Sequence, residues 1–169
     1  MQNTIKEFLS LLPEHNRKAC LRILADNHDR FYDAPGSQGK HQAWPGGYIG
    51  HLEETMRIAI SLYNNSIHPL PFEITDAILV LFLHDLEKPF KYIEPKRTFR
   101  DDASKKNFIE KMMRDYDITL TPDQRNAFHY VHGEGDDYHP TKRIMGPLAA
   151  FVHCCDTMSA RIWFDYPNH

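Results

Sequence analysis

The chain is 169 residues long, 41% hydrophobic and 25% charged, with a formal charge of −3 when its histidines are neutral. That length predicts one domain, 1–169, able to bury a sizeable core. The weak acidity argues against an extended nucleic-acid surface, which needs an excess of lysine and arginine. A small anionic substrate held through a metal ion stays compatible, because the ion brings positive charge with it.

Three cysteines, Cys20, Cys154 and Cys155, form no CxxC or other regular spacing. They predict neither a disulfide framework nor a zinc finger, so a reducing cytoplasm is the expected compartment. MQNTIKEFLS is broken by a lysine and a glutamate and does not read as a signal peptide. The apolar run Ala77 to Leu83 is far too short to span a bilayer, so no membrane partner is expected. Eleven histidines are many for this length, and histidine is both a common metal ligand and an acid or base near neutral pH.

In chain order, Leu9, Leu11 and Leu12 end a short amphipathic helix that Pro13 interrupts, and a second helix is expected from about Glu14 to Asp26. Asp33 to Gly47 (DAPGSQGKHQAWPGG) is a Gly/Pro-punctuated loop long enough to suggest function, with His41 and Trp44 as candidate substrate contacts. Ile49, Leu52, Met56, Ala59, Ile60 and Tyr63 recur at three and four, which predicts a helix from Tyr48 to about Asn64 with His51 in its first turn. A nearly continuous apolar segment from Phe72 to about Glu87 predicts a buried central helix that carries His84 and Asp85 and is closed by Pro89.

Glu94 to Arg100 reads as a charged loop, and a charged amphipathic helix is expected at about Ala103 to Tyr116. Thr121-Pro122, a cap followed by proline, starts a helix bearing Phe128, His129 and Val131 until Gly133 and Gly135 break it. Asp136 to Lys142 is a second polar loop. A last helix, about Arg143 to Phe164, carries Val152, His153 and Asp156 on neighbouring turns. No segment alternates as a strand does, so the expected fold is all-α, a compact helical bundle.

A histidine and an aspartate at the end of an apolar helix are, by themselves, weak evidence of a site, since a helix C-terminus favours histidine in any case. With His51 one helix upstream and Asp156 on the last helix, His84 and Asp85 complete two nitrogen and two oxygen donors suited to a divalent ion. Such sites are built from inward-facing side chains between the helices of a bundle. His132 and His129, three residues apart, either add a second ion or bind substrate and pack. Lys88 serves either a phosphate oxygen or the helix dipole. Arg143 is a candidate phosphate contact, although scattered arginines are usually solvated. His153 is expected to pack against a backbone carbonyl, Cys154 and Cys155 to be buried, and His15, His28, His68, His139 and His169 to lie on the surface.

The order His…His-Asp…Asp resembles the HD-domain superfamily of metal-dependent phosphohydrolases. His41-Gln-Ala-Trp-Pro-Gly-Gly-Tyr-Ile-Gly-His51 is similar to the HxxxxGGxxxH segment that opens the HD domain of the 3′–5′ exoribonuclease branch. His84-Asp-Leu-Glu-Lys88 is similar to the family's His-Asp-(Ile/Leu)-Gly-Lys, with a glutamate in place of the usual glycine. Val131-His-Gly and Pro-Leu-Ala-Ala-Phe-Val-His-Cys-Cys-Asp156 look like its late histidine-glycine turn and final ligand helix, so the resemblance covers residues 40–161. It implies an HD-type helical bundle and metal ligands at His51, His84, Asp85, His132 and Asp156. It also implies one or two divalent ions (Mn, Fe, Mg, Ni, Co or Zn), with Asp85 and Lys88 in catalysis. The expected partner is a small phosphorylated molecule of nucleotide type. Short oligonucleotides, cyclic nucleotides and dinucleoside polyphosphates are alternatives, as is a catalytically silent sensor, and a homo-oligomer is compatible with all of these.

Overall fold

The computed structural model describes residues 4–93, 99 and 101–164. These residues form α1 (Ile5–Ser10), α2 (Glu14–Asp26), α3 (His28–Asp33), α4 (Gly47–Asn64), α5 (Ile74–Leu83), α6 (Lys88–Ile93), α7 (Asp102–Asp115), α8 (Pro122–Tyr130) and α9 (Pro147–Arg161), with one 3₁₀ turn between α8 and α9. The expected all-α fold is therefore observed, with no strand among the described residues. No described helix is long and apolar enough to cross a membrane.

Helix α5 lies at the centre. Every residue from Ala77 to Leu83 is buried, because α4, α8 and α9 pack around it and leave it no solvent face. One hydrophobic cluster runs from Ile5 in α1 to Cys155 in α9, so the helices that carry the site share a continuous core. Local signals fix where they begin. The Thr121 side chain accepts a hydrogen bond from the Gln124 N–H, Gln124 Oε1 in turn accepts one from the Thr121 N–H, and Pro122 follows the cap. Asn126 in α8 holds the start of α9 by accepting from the Gly146 N–H and donating to the Ile144 carbonyl.

Several boundaries differ from the expected ones. Residues 28–33 form α3, which the sequence pattern did not suggest, and it packs against α4 and α6. The central helix starts at Ile74, after a Glu73/Asp76 capping box, and stops at Leu83. Residues 84–87 make tight turns and Lys88 begins α6, so Pro89 sits in the first turn of a new helix instead of closing the old one. Proline is tolerated there because the first-turn N–H groups have no intrahelical partner. The final helix starts at Pro147, four residues later than expected, since Pro147 is its first residue and Gly146 its cap. The expected charged loop at 94–100 lies outside the described residues except for Phe99.

Candidate metal centre

Three elements bring the site together. His51 comes from the second turn of α4, His84 and Asp85 from the turn that leaves α5, and Asp156 from the middle of α9. One ligand atom from each of these four residues lies within 4.8 Å of every other. The individual separations are short: His51 Nε2 is 3.4 Å from His84 Nε2 and 3.2 Å from Asp156 Oδ1, and His84 Nε2 is 3.0 Å from Asp85 Oδ2. His51, His84 and Asp85 are buried.

The hydrogen bonds behind these groups decide what faces inward. His84 Nδ1 donates to the Leu81 carbonyl at 2.7 Å, which turns Nε2 inward, a lone pair whenever the ring is neutral. His51 Nδ1 donates to Ser159 Oγ at 3.0 Å, because the Ser159 hydroxyl is itself spent on Glu54 Oε2 at 2.6 Å. Both imidazoles thus turn an acceptor nitrogen toward two carboxylates. Four acceptors converging in a buried space repel one another unless a proton or a cation lies between them, and the mixed N/O set suits an intermediate or hard divalent ion. The residues present fit the metal that the family resemblance implies.

Protonation follows the same electrostatics. Burial opposes a charged His84, but the neighbouring Asp85 and Asp156 override it and push its pKa up to about 10. Burial prevails at His51 and pulls it down to about 4 despite the neighbouring Asp156 carboxylate, which favours a charged ring. Burial also works against ionised Asp85 and Asp156. His84 and Lys88 nevertheless hold Asp85 well below the usual carboxylate range, and the rings of His132, His51 and His84 around it do the same for Asp156. A proton on His84 therefore offsets part of the negative charge when no ion does.

Lys88 is not the free point charge that a substrate-facing lysine would be: its Nζ is ion-paired with Asp85 Oδ2 inside the cluster. His132 lies outside the compact group of four, at the solvent side of both carboxylates. Its Nδ1 is 3.2 Å from Asp156 Oδ2, its Nε2 is 3.7 Å from Asp85 Oδ1, and its side chain is 58% exposed. The turn that places it requires Gly133, whose φ of +99° is left-handed. His129 points elsewhere, to Asp137 at 3.3 Å and Lys106 at 3.3 Å. His41 is drawn in: its ring centre is 4.8 Å from that of His51.

Two cavities open on the cluster. One, of about 330 Å³, has His84, Glu87, Lys106, Phe128, His129 and His132 in its wall. The other, of about 870 Å³, has Lys40, His41, His132, Asp156, Arg161 and Phe164. Trp44, half-buried in its loop, and Arg143, exposed on the surface, line neither of them. His153 donates to the Val131 carbonyl at 2.8 Å, the packing role expected of it. Cys154 is exposed, unlike Cys155, because it falls on the outer face of α9, which corrects the expectation that both are buried. His15, His28, His68 and His139 are exposed as expected, and His169 lies outside the described residues.

The residues behind the ligands were not evident from the sequence pattern. Gln42 is buried and donates to Glu54 at 2.8 Å and to Ser159 at 3.2 Å, while accepting from His41 Nδ1 at 2.7 Å. The loop closes tightly over it: a Cβ on Gly47 would sit 1.9 Å from the Gln42 carbonyl oxygen. A signal was there to be read, since Glu54 and Ser159 each follow a ligand by three residues and so share its helix face.

No protein-family model, curated protein or solved structure matches this chain.

Proposed function

We propose that the protein is a metal-dependent phosphohydrolase of the HD-domain kind, cleaving a phosphoester or phosphoanhydride bond in a nucleotide-like substrate. The observation that carries this reading is the convergence of His51, His84, Asp85 and Asp156 on one buried point beside two open cavities. A divalent ion held by those four residues supplies positive charge and Lewis acidity at the phosphoryl group. Lys88 keeps Asp85 ionised, and Asp85 Oδ1, on the side facing His132, accepts a hydrogen bond from the attacking water and orients it. His132, the most exposed of the group, contacts the phosphate or the departing oxygen.

Purified protein with Mn²⁺ is expected to hydrolyse members of a panel of nucleoside phosphates and phosphodiesters. Asp85→Ala is expected to abolish that turnover while leaving the helical circular dichroism unchanged. Wild-type activity in this variant would sink the assignment, and inactivity of the native protein on the whole panel would favour a binding module instead. Metal analysis reads the stoichiometry directly: one equivalent leaves His132 to the substrate, and two assign it, with Asp85 and Asp156, to a second ion.

A further inference from the structure

His132 is common to the walls of both cavities, while His84 belongs to the smaller and Asp156 to the larger. The metal centre thus lies at their junction, with the His132 ring over it. Each cavity, at about 330 Å³ and about 870 Å³, is within the size range of sites that hold a small organic molecule by themselves. Each also combines cationic groups with an aromatic ring, Lys106 and Phe128 on one side and Lys40, Arg161 and Phe164 on the other. A terminal phosphate needs only one such chamber, because the far side of its phosphorus carries nothing but oxygen.

From this arrangement we infer that the substrate is two-ended: a dinucleotide whose bridging phosphate sits beneath His132, with one nucleoside in each cavity. This rests on the phosphohydrolase reading and narrows it. Flat bases fit aromatic walls, since stacking tolerates any base. The carboxylate of Glu87, in the wall of the smaller cavity, offers an acceptor to a base-edge N–H. In the reaction, water gives its hydroxyl to phosphorus and a proton to the departing ester oxygen. One P–O bond forms as another breaks, yielding a nucleotide and a nucleoside.

The test compares two phosphodiesters that differ only in their ends, a dinucleoside monophosphate and the methyl ester of a nucleoside monophosphate. Their analogues with a methylene in place of the scissile oxygen are used for calorimetric binding. A dinucleoside tetraphosphate serves as the anhydride counterpart. The expected result is that the dinucleotide binds and turns over at least about tenfold better than the methyl ester. Lys106→Ala and Arg161→Ala, one in each cavity, should each raise its KM by about tenfold with kcat little changed, the pattern of lost uniform binding. The methyl ester should respond to only one of the two variants. Equal binding and turnover of the two diesters would overturn the inference, as would a dinucleotide KM indifferent to either variant. Preference for the tetraphosphate with both variants effective keeps the two-ended assignment and moves the cleaved bond to an anhydride. If the methylene dinucleotide binds and both variants weaken it, yet nothing is hydrolysed with any metal, the two-cavity assignment stands and the phosphohydrolase reading falls.

Discussion

Ser159 has no chemistry of its own in this protein, yet it decides which nitrogen His51 presents. Its hydroxyl is committed to Glu54 and, through Gln42, to the loop that carries His41. Outer partners of this type orient metal ligands, and their loss typically weakens metal affinity by about 10–100-fold. Ser159→Ala is therefore expected to lower Mn²⁺ affinity by that order in calorimetry, with the fold intact. The ¹⁵N shifts of the His51 ring should show mixed tautomers in place of one, and an unchanged tautomer with unchanged affinity would rule out the relay. Glu54 and Ser159 could be suspected from their i+3 spacing to His51 and Asp156. Gln42 could not, because it reaches the network from a loop, and its backbone φ of +41° reflects closure around Gly36 and Gly47 and no local sequence preference.

At the level of elements, α5 does the most to hold the site, and it does so through burial. Its hydrophobic middle leaves no solvent face, so the chain has to turn where polarity begins, at His84. The helical His84 backbone donates to the Val80 carbonyl at 3.0 Å, after which tight turns carry Asp85 to the same side. A large-to-small change here should leave a cavity in a region enclosed by three other helices. Leu79→Ala is expected to cost about 2–5 kcal/mol, read from the urea midpoint at constant m-value. A loss below about 1 kcal/mol would mean that α5 is not the packed centre. The pattern of apolar residues located this helix and its partners α4, α8 and α9, because their periodicity is a property of each segment alone. It misplaced the ends of α5 and α9 and overlooked α3 and α6, six-residue helices too short for a periodic signal.

The whole molecule buries chemistry as well as apolar surface. Burial pushes the Cys20 and Cys155 thiols up to about 12, so the reactive thiolate is scarce at both in the folded chain at pH 8. Cys154 stands exposed on the outside of α9. Iodoacetamide at pH 8 is accordingly expected to label Cys154 in the native protein and all three cysteines after denaturation, as counted by intact mass. Rapid native labelling of Cys20 would show that the α1–α2 end of the core opens readily.

The sequence alone determined the all-α class, the four principal helices and the ligand candidates His51, His84, Asp85 and Asp156. Helical periodicity, caps and ligand chemistry are all local. Tertiary structure decided which candidates meet. His51, His84, Asp85 and Asp156 converge, Lys88 turns inward to Asp85, His129 turns away to Asp137, and Trp44 and Arg143 stay apart from both cavities. It also placed His132 over the junction of two cavities. Those outcomes depend on how α4, α5, α8 and α9 pack around one another, and the packing is set by the whole core at once, which no single segment encodes.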